Sequence, residues 1–229
     1  MTIDALRQAV MQANQELARR GLARFTFGNA SAIDRHKGII VIKPSGVPYD
    51  ALTPSGMVIT DLDGNVLEDA FRPSSDLATH VALYRAFPSI GGVVHTHSRY
   101  ATSWAQAGRD IPCFGTTHAD HFHGAIPVTA PMSEPAIANQ YEANTGAAIV
   151  ERFRALDAAT MPAALVHGHA PFCWGRTVEE AVEHADLLEE VARLAYQTMM
   201  IDSGATEISA ALRDKHFLRK HGSDRYYGQ

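Results

Sequence analysis

Residues 91–98 read Gly-Gly-Val-Val-His-Thr-His-Ser, an apolar run that ends in two histidines two positions apart. The run predicts a buried strand, and because side chains alternate across a strand, His95 and His97 should share one face. Their α-carbons would lie about 6.6 Å apart, a separation from which two imidazoles can reach one metal ion. Two histidines that merely hydrogen-bond to their neighbours are the alternative on this stretch alone.

A second stretch repeats the pattern. Residues 164–169 read Ala-Leu-Val-His-Gly-His, again an apolar run that ends in two histidines, His167 and His169. Two such strand ends side by side would supply enough nitrogen donors for a metal site. With a carboxylate added, this donor set suits zinc best, with manganese or cobalt as substitutes.

Composition restricts the class of protein. The 229 residues are 46% hydrophobic and 20% charged, and the formal net charge is -5. We therefore expect one globular domain over residues 1–229, with neither nucleic acid nor an anionic membrane as its main partner. The N-terminus lacks the pattern of a secretory signal and no apolar run reaches membrane-spanning length, so we expect a cytoplasmic location. Two cysteines are too few for a disulfide framework.

Periodicity predicts a mixed α/β chain. Apolar residues at helical spacing predict helices over 2–20, 77–87, 100–107, 133–153 and 178–200. Short β-rich runs predict strands over 24–27, 39–42 and 57–60, and Asp63-Gly64-Asn65 predicts a hairpin turn after the third. The β-rich part should therefore contain antiparallel pairs.

Three predicted turns share small hydroxyl or amide side chains: residues 28–31, 43–46 and 73–76. Such turns can present backbone N–H groups to a phosphate, and Lys43 adds a positive charge. Ser75 is the predicted cap of the helix that follows, whose positive end would attract an anion and keep Asp76 ionised. Each segment alone is better explained as an ordinary turn, and it is the three together that favour a phosphate site. Asp76 is equally a helix-start residue without further function.

Residues 115–124 read Gly-Thr-Thr-His-Ala-Asp-His-Phe-His-Gly and form a histidine-dense segment. It predicts either a second metal cluster or an active-site loop, and the loop is favoured because the spacing matches no standard zinc pattern. Asp120 is its acid/base candidate. The tail at 213–229 is basic and aromatic, and a solvated tail is the usual interpretation of such a charge run. Two adjacent tyrosines near its end, Tyr226 and Tyr227, indicate instead a segment that docks. The chain has neither a Gly-x-Gly-x-x-Gly nor a Walker motif, which weighs against a nucleotide site.

Taken together, these motifs resemble the class II aldolase/epimerase family, and in particular its epimerase branch. The resemblance covers nearly the whole chain and lies in these segments: 28–29, 42–46, 72–76, 91–98, 104–108, 115–120, 169–172, 215–222 and the terminal Tyr-Tyr-Gly-Gln. It implies an α/β fold, a three-layer αβα sandwich around a largely antiparallel sheet. It also implies a C4 homotetramer with active sites at subunit interfaces, where the neighbour's Asp120 and tail reach in.

The resemblance also implies residue roles. The metal ligands would be Asp76, His95, His97 and His169, with one ion, zinc by preference, per chain. The phosphate would be bound by Asn29, Lys43, Ser45, Gly46, Ser74 and Ser75. Asp120 and Tyr227 would be the two acid/base groups. Thr116, Glu142, His216 and Arg219 would be further site residues, and His167 only a strand neighbour.

The implied activity is that of an isomerase that interconverts L-ribulose 5-phosphate and D-xylulose 5-phosphate by cleaving and remaking the C3–C4 bond, as in arabinose catabolism. Asp76 stands where the aldolase members carry glutamate, which favours the epimerase. A class II sugar-phosphate aldolase is the alternative. A non-catalytic interaction domain, as in cytoskeletal members, is a third hypothesis that the intact ligand set disfavours. His121, His123 and Phe27 depart from the family pattern, which leaves substrate choice less secure than metal binding.

Overall fold

The computed structural model describes residues 1–67 and 71–227. The helices are Ile3–Arg19 (α1), Leu77–Ala86 (α2), Arg99–Ala107 (α3), Thr116–Ala119 (α4), Glu134–Ala138 (α5), Tyr141–Arg152 (α6), Val178–Ile201 (α7) and Ala210–His221 (α8). The strands are Asn29–Asp34 (β1), Ile39–Ile42 (β2), Val58–Asp61 (β3), Gly92–His95 (β4), Ala163–Leu165 (β5) and Pro171–Gly175 (β6).

The six strands form one antiparallel sheet in the order β3-β2-β1-β4-β6-β5. Helices α1 and α3 both contact α7, and the three pack on one face of the sheet, while α2 and α6 pack together on the other. This confirms the predicted αβα architecture. The register pairs Asn29 with His95 and His95 with Phe172, so these three residues form one row across the centre of the sheet.

Local sequence explains the first helix. The Thr2 side chain accepts a hydrogen bond from the N–H of Ala5 at 3.2 Å and so caps α1, as hydroxyl residues do. Asn14 is buried in the same helix: its amide nitrogen donates to the Ala30 carbonyl, and its amide oxygen accepts from the Ala30 N–H. A side chain thus ties α1 to the backbone of β1, which holds the start of that strand in place.

A glycine allows the central strand to pass beneath the longest helix. A Cβ at Gly92 would lie 2.4 Å from the α-carbon of Val178, at the start of α7. Only a residue without a side chain permits this approach. The predicted strand over residues 91–98 is therefore confirmed as far as His95, where β4 ends.

The predicted helices α1, α2, α3 and α7 are confirmed, whereas two other predictions are wrong. Residues 24–27 form no strand, because Phe25 has φ of 54°, in the left-handed region that a strand cannot contain. The single helix predicted over 133–153 is two helices, α5 and α6, since Gln140 with φ of 52° breaks it.

Several helix and strand ends also differ from the prediction. Asn29 begins β1 rather than closing a turn, and Asp76, not Ser75, occupies the N-cap position of α2. His167 and His169 lie in a tight turn between β5 and β6 rather than on a strand. Most of the predicted tail is α8, which packs on α4; the last two tail residues lie outside the described part. No helix in the described ranges is long and apolar enough to cross a bilayer.

Candidate active site

Three imidazoles converge at the end of the central strand. His95 closes β4, His97 follows two residues later, and His169 comes from the β5–β6 turn. Their ligand nitrogens all lie within 4.8 Å of one another, and the Nε2 atoms of His95 and His97 are 3.2 Å apart. Two nitrogens bound tetrahedrally to zinc at the usual bond length stand about 3.3 Å apart. The spacing therefore fits a shared ion.

Contacts with β6 fix the orientation of the His95 ring. Its Nδ1 lies 2.9 Å from the carbonyl oxygen of Pro171, which can only accept a hydrogen bond. Nδ1 therefore carries the proton, and Nε2 presents a lone pair toward His97. The ring also stacks on Phe172, with centroids 4.2 Å apart. A ligand whose second nitrogen is tied to a carbonyl in this way is typical of histidine metal sites.

Asp76 brings a carboxylate to the same place. Its Oδ2 lies 4.0 Å from His95 Nε2 and accepts a hydrogen bond of 2.7 Å from the Asn29 amide. Burial alone would raise the pKa of Asp76, but the imidazoles of His95 and His80 and the Asn29 bond outweigh it, and the pKa is lowered. Asp76 is therefore ionised near neutral pH.

The imidazoles themselves are neutral near neutral pH. Burial lowers the pKa of His95 to about 3, and the opposing effect of the Asp76 charge, which raises this pKa, is smaller. Burial also lowers the pKa values of His97 and His169. A set of neutral imidazoles with one carboxylate is the protonation state that binds a metal ion.

A cavity of about 390 Å³ joins these residues to the predicted phosphate site. Its walls contain all four candidate ligands and all six predicted phosphate residues: Asn29, Lys43, Ser45, Gly46, Ser74, Ser75, Asp76, His95, His97 and His169. Glu142, Tyr141, Phe27 and Gly28 line it as well. Gly28 is required here, because a Cβ would lie 2.6 Å from the His95 carbonyl oxygen.

Lys43 supplies a buried positive charge in this wall. The residue is only 2% exposed, and its ammonium donates to the Pro44 carbonyl at 3.3 Å and lies over the Tyr49 ring. Burial lowers its pKa, and within the described residues no carboxylate offsets that effect. The segments that carry Lys43 and Ser74 are joined by the bond from the Ser74 N–H to the Lys43 carbonyl. A buried ammonium in a cavity wall without a carboxylate partner is an arrangement that favours a bound anion.

The acid/base candidates lie elsewhere in the chain. Asp120 accepts two hydrogen bonds from the Arg219 guanidinium, at 2.9 and 3.1 Å, and lies 3.0 Å from His216 Nδ1. The Tyr227 ring stacks on the same guanidinium, and the Arg219 Cζ atom lies 4.3 Å from the centre of the Tyr227 ring. Burial works to raise the pKa of Asp120, but Arg219 and His216 outweigh it and lower the pKa. This Asp120 cluster is absent from the cavity walls within this chain.

Thr116 and the histidine-dense segment belong with the Asp120 cluster rather than with the cavity. Thr116 begins α4, the short helix that ends just before Asp120. His118 is buried with its Nε2 2.8 Å from the Gly124 carbonyl, and His123 pairs with Asp214. Across residues 1–67 and 71–227, the only three donor groups close enough to share an ion are His95, His97 and His169. The histidines of residues 115–124 therefore form no second group of converging donors within the described part of the chain.

The family profile described as "Class II Aldolase and Adducin N-terminal domain" matches residues 8–196. The chain belongs to the class II aldolase family. The L-ribulose-5-phosphate 4-epimerases UlaF of Salmonella paratyphi A and of Salmonella paratyphi C are 51% and 50% identical over 224 residues, which is 98% of this chain and 98% of theirs. The resemblance drawn from the motifs is therefore confirmed.

Solved structures agree with this class II aldolase assignment. An L-fuculose 1-phosphate aldolase superposes with a TM-score of 0.79 at 21% identity and covers 93% of this chain and 94% of its own. YgbL from Klebsiella pneumoniae, described as a putative aldolase/epimerase/decarboxylase, gives 0.73 at 25% identity and covers 94% and 99%. The first of these shows the shared fold alone.

Sequence reasoning missed two side chains of this class II aldolase site. The Tyr141 hydroxyl lies 3.4 Å from His169 Nδ1 inside the cavity, whereas the sequence predicted this residue only as part of a continuous helix over 133–153. His80 is fully buried behind Asp76 and Phe172. Nothing in the sequence marked the helix break at Gln140 that precedes Tyr141, and nothing distinguished His80 from a core residue.

Proposed function

We propose that this chain is a metal-dependent L-ribulose-5-phosphate 4-epimerase that interconverts L-ribulose 5-phosphate and D-xylulose 5-phosphate. The observation that carries the proposal is a single cavity in which three imidazoles and one carboxylate converge beside a buried ammonium. The identity to epimerases over nearly the full chain supports the same activity. We further propose that residues 1–229 act as one domain in the cytoplasm.

The residues fit a divalent ion. His95, His97, His169 and Asp76 would hold zinc, or manganese or cobalt in its place, since the nitrogen spacing and the fixed orientation of His95 suit that role. The ion would supply Lewis-acid stabilisation of negative charge that develops on the sugar oxygens. The assignment of these three histidines and Asp76 as metal ligands stays a prediction.

The bond to be broken follows from the substrate. Carbon 4 of a 2-ketopentose is not adjacent to the carbonyl, so removing its proton gives no enolate. The class II aldolase fold offers retro-aldol cleavage of the C3–C4 bond instead, which gives the enediolate of dihydroxyacetone and glycolaldehyde phosphate. Rotation of the aldehyde and re-addition on its other face then inverts carbon 4. One proton donor or acceptor is needed on each face of the aldehyde.

The phosphate would lie at the Lys43 end of the cavity. Asn29, Ser45, Gly46, Ser74 and Ser75 line this end beside the Lys43 ammonium. An anion there would satisfy the charge that burial leaves without a carboxylate partner. Holding the phosphate fixed keeps glycolaldehyde phosphate in the cavity while its aldehyde group turns.

Asp120 and Tyr227 would act in a neighbouring subunit. Both lie outside the cavity walls of their own chain and are held together by Arg219, with His216 and Thr116 nearby. A homotetramer with C4 symmetry would place this Asp120 cluster against the next subunit's cavity, whose lining includes Glu142. Each active site would then need residues from two chains.

An aldolase is the second candidate, because L-fuculose 1-phosphate aldolase has the same fold. The decisive experiment incubates purified, metal-loaded protein with L-ribulose 5-phosphate and follows the products by NMR. We expect D-xylulose 5-phosphate to accumulate with almost no free aldehyde. Net release of glycolaldehyde phosphate would favour the aldolase, and an inert metal-loaded protein would end the epimerase proposal.

Replacing Lys43 with methionine should raise KM for L-ribulose 5-phosphate by about 10- to 100-fold, since a charge-assisted hydrogen bond contributes about 1.5–3 kcal/mol. Thermal stability should not fall, because methionine fills the volume and removes a buried charge. Steady-state kinetics and thermal melts measure both. Lys37→Met, which alters an exposed lysine paired with Asp34, is the control. An unchanged KM would remove Lys43 from the phosphate site.

Metal retention should extend below the pH at which free histidine protonates. Ordinary imidazoles would release the ion as pH falls through about 6.5, whereas burial lowers the pKa values of His95, His97 and His169. The neutral, ligating forms therefore persist as pH falls through that value. We expect equal zinc content after dialysis at pH 6.0 and at pH 7.5; loss of half the zinc by pH 6.0 would contradict this.

A further inference from the structure

A line of polar contacts joins β1 to α2 beneath the cavity. Asn29 bonds to Asp76, while Ser31 Oγ lies 2.7 Å from His80 Nδ1 and 2.9 Å from the Tyr84 hydroxyl. Alternate residues of a strand are about 6.6 Å apart and successive turns of a helix about 5.4 Å apart. Every second residue of β1 can therefore lie opposite one turn of α2 over this short length. We call Asn29, Ser31, Asp76, His80 and Tyr84 the β1–α2 seam.

His80 is the unusual member of this seam. Its side chain is fully buried, yet among residues 1–67 and 71–227 its Nε2 finds no hydrogen-bond partner. Buried polar atoms in native proteins are nearly always paired, so an unpaired one calls for a reason. Leucine or phenylalanine would fill this position without leaving a polar atom unsatisfied, so packing alone does not explain an imidazole here.

Two routes lead from His80 to the candidate metal ligands. Along α2, Asp76 lies one turn earlier, and its carbonyl accepts the His80 N–H at 3.1 Å. Across the sheet, the His80 ring meets Phe172 at 5.9 Å and nearly at right angles, and Phe172 stacks on His95 at 4.2 Å. A shift of His80 would therefore disturb both the carboxylate and one imidazole.

We propose that His80 is a positioning residue for the metal centre: tied to Ser31, it sets the rotation of α2 that places Asp76 and the packing of Phe172 that places His95. This rests on the proposed metal-dependent function. His80 itself stays behind Phe172 and contacts no substrate. Residues that orient metal ligands in this way change metal affinity about 10- to 100-fold when they are altered.

Two substitutions separate the role of the imidazole from its bulk. His80→Phe keeps a planar ring of similar size and removes both nitrogens. His80→Asn returns a polar group near the position of Nδ1, where Ser31 can bind it, at the cost of ring volume. A control is His184→Phe, because His184 is a partly buried histidine that is also held through Nδ1, here by the Trp174 carbonyl, but it lies on α7 across the sheet.

The test measures Co²⁺ binding to each apoprotein by competition with a chelator, together with the visible spectrum of the Co²⁺ form. We expect His80→Phe to weaken binding by about 10- to 100-fold and to shift the spectrum, with both largely restored in His80→Asn and unchanged in His184→Phe. Equal losses in His80→Phe and His184→Phe would mean general damage to the core and would overturn the positioning role.

Further outcomes keep the two proposals apart. If the wild-type protein binds one Co²⁺ ion and His80→Phe binds it with the same affinity and spectrum, only the positioning role fails. If the wild-type protein binds no ion, the metal-dependent function fails and the role of His80 fails with it. Should His80→Phe not fold, Ser31→Ala removes the tie while leaving the ring, and unchanged Co²⁺ affinity and spectrum in that variant would equally reject the role.

Discussion

Replacing His97 with alanine will remove bound metal and activity together. His97 is one of three imidazoles whose nitrogens lie within 4.8 Å of each other, so its loss opens the coordination sphere. A Lewis acid lowers the activation barrier by several kcal/mol, so losing the metal should reduce turnover by about 10³-fold or more. Metal analysis of the purified variant and the L-ribulose 5-phosphate assay measure the two effects.

His97 is the best of the three for this test because it is the most exposed of them and only part of its ring is buried, whereas His95 is buried in the sheet. Its removal leaves no cavity in the core, so the fold should survive, as circular dichroism would show. His36→Ala removes another exposed histidine, in the turn between β1 and β2, and should change nothing. Full metal content in His97→Ala would refute its assignment as a ligand.

Replacing Tyr227 with phenylalanine should leave the metal in place and slow turnover by about 10²- to 10⁴-fold, the usual contribution of a general acid or base. The ring stacks on Arg219, and phenylalanine keeps that contact, so only the hydroxyl is lost. Tyr226→Phe is the matched control, since Tyr226 is adjacent in sequence and its ring lies over Lys215 instead. Unaltered turnover would exclude Tyr227 from the mechanism.

Mixing the two inactive variants tests whether active sites are shared between chains. An oligomer that contains both His97→Ala and Tyr227→Phe subunits would include interfaces where an intact metal site meets an intact Tyr227. Activity should therefore reappear after the two are unfolded and refolded together. No recovery from a mixed oligomer of the expected size would place Tyr227 and the metal site in the same subunit.

The sequence predicted those features that depend on neighbouring residues. Helix α1 follows from its apolar spacing, and β4 follows from the apolar run before His95. The predictions failed where one residue adopts a left-handed conformation, as at Phe25 and Gln140. Both side chains are ordinary strand or helix formers, so composition gave no warning of these turns.

The amino-acid sequence by itself determined the family and the chemical types available: imidazoles, a carboxylate and a lysine in separate motifs. Only the tertiary structure decided that His169 lies next to His95 and His97. It also decided that Lys43 lines the same cavity, whereas Asp120 does not line it. The reason is the strand order, in which β1 pairs with β4 and β4 with β6 across long stretches of chain. Which distant strands pair depends on how the whole core packs, and a local sequence pattern does not determine it.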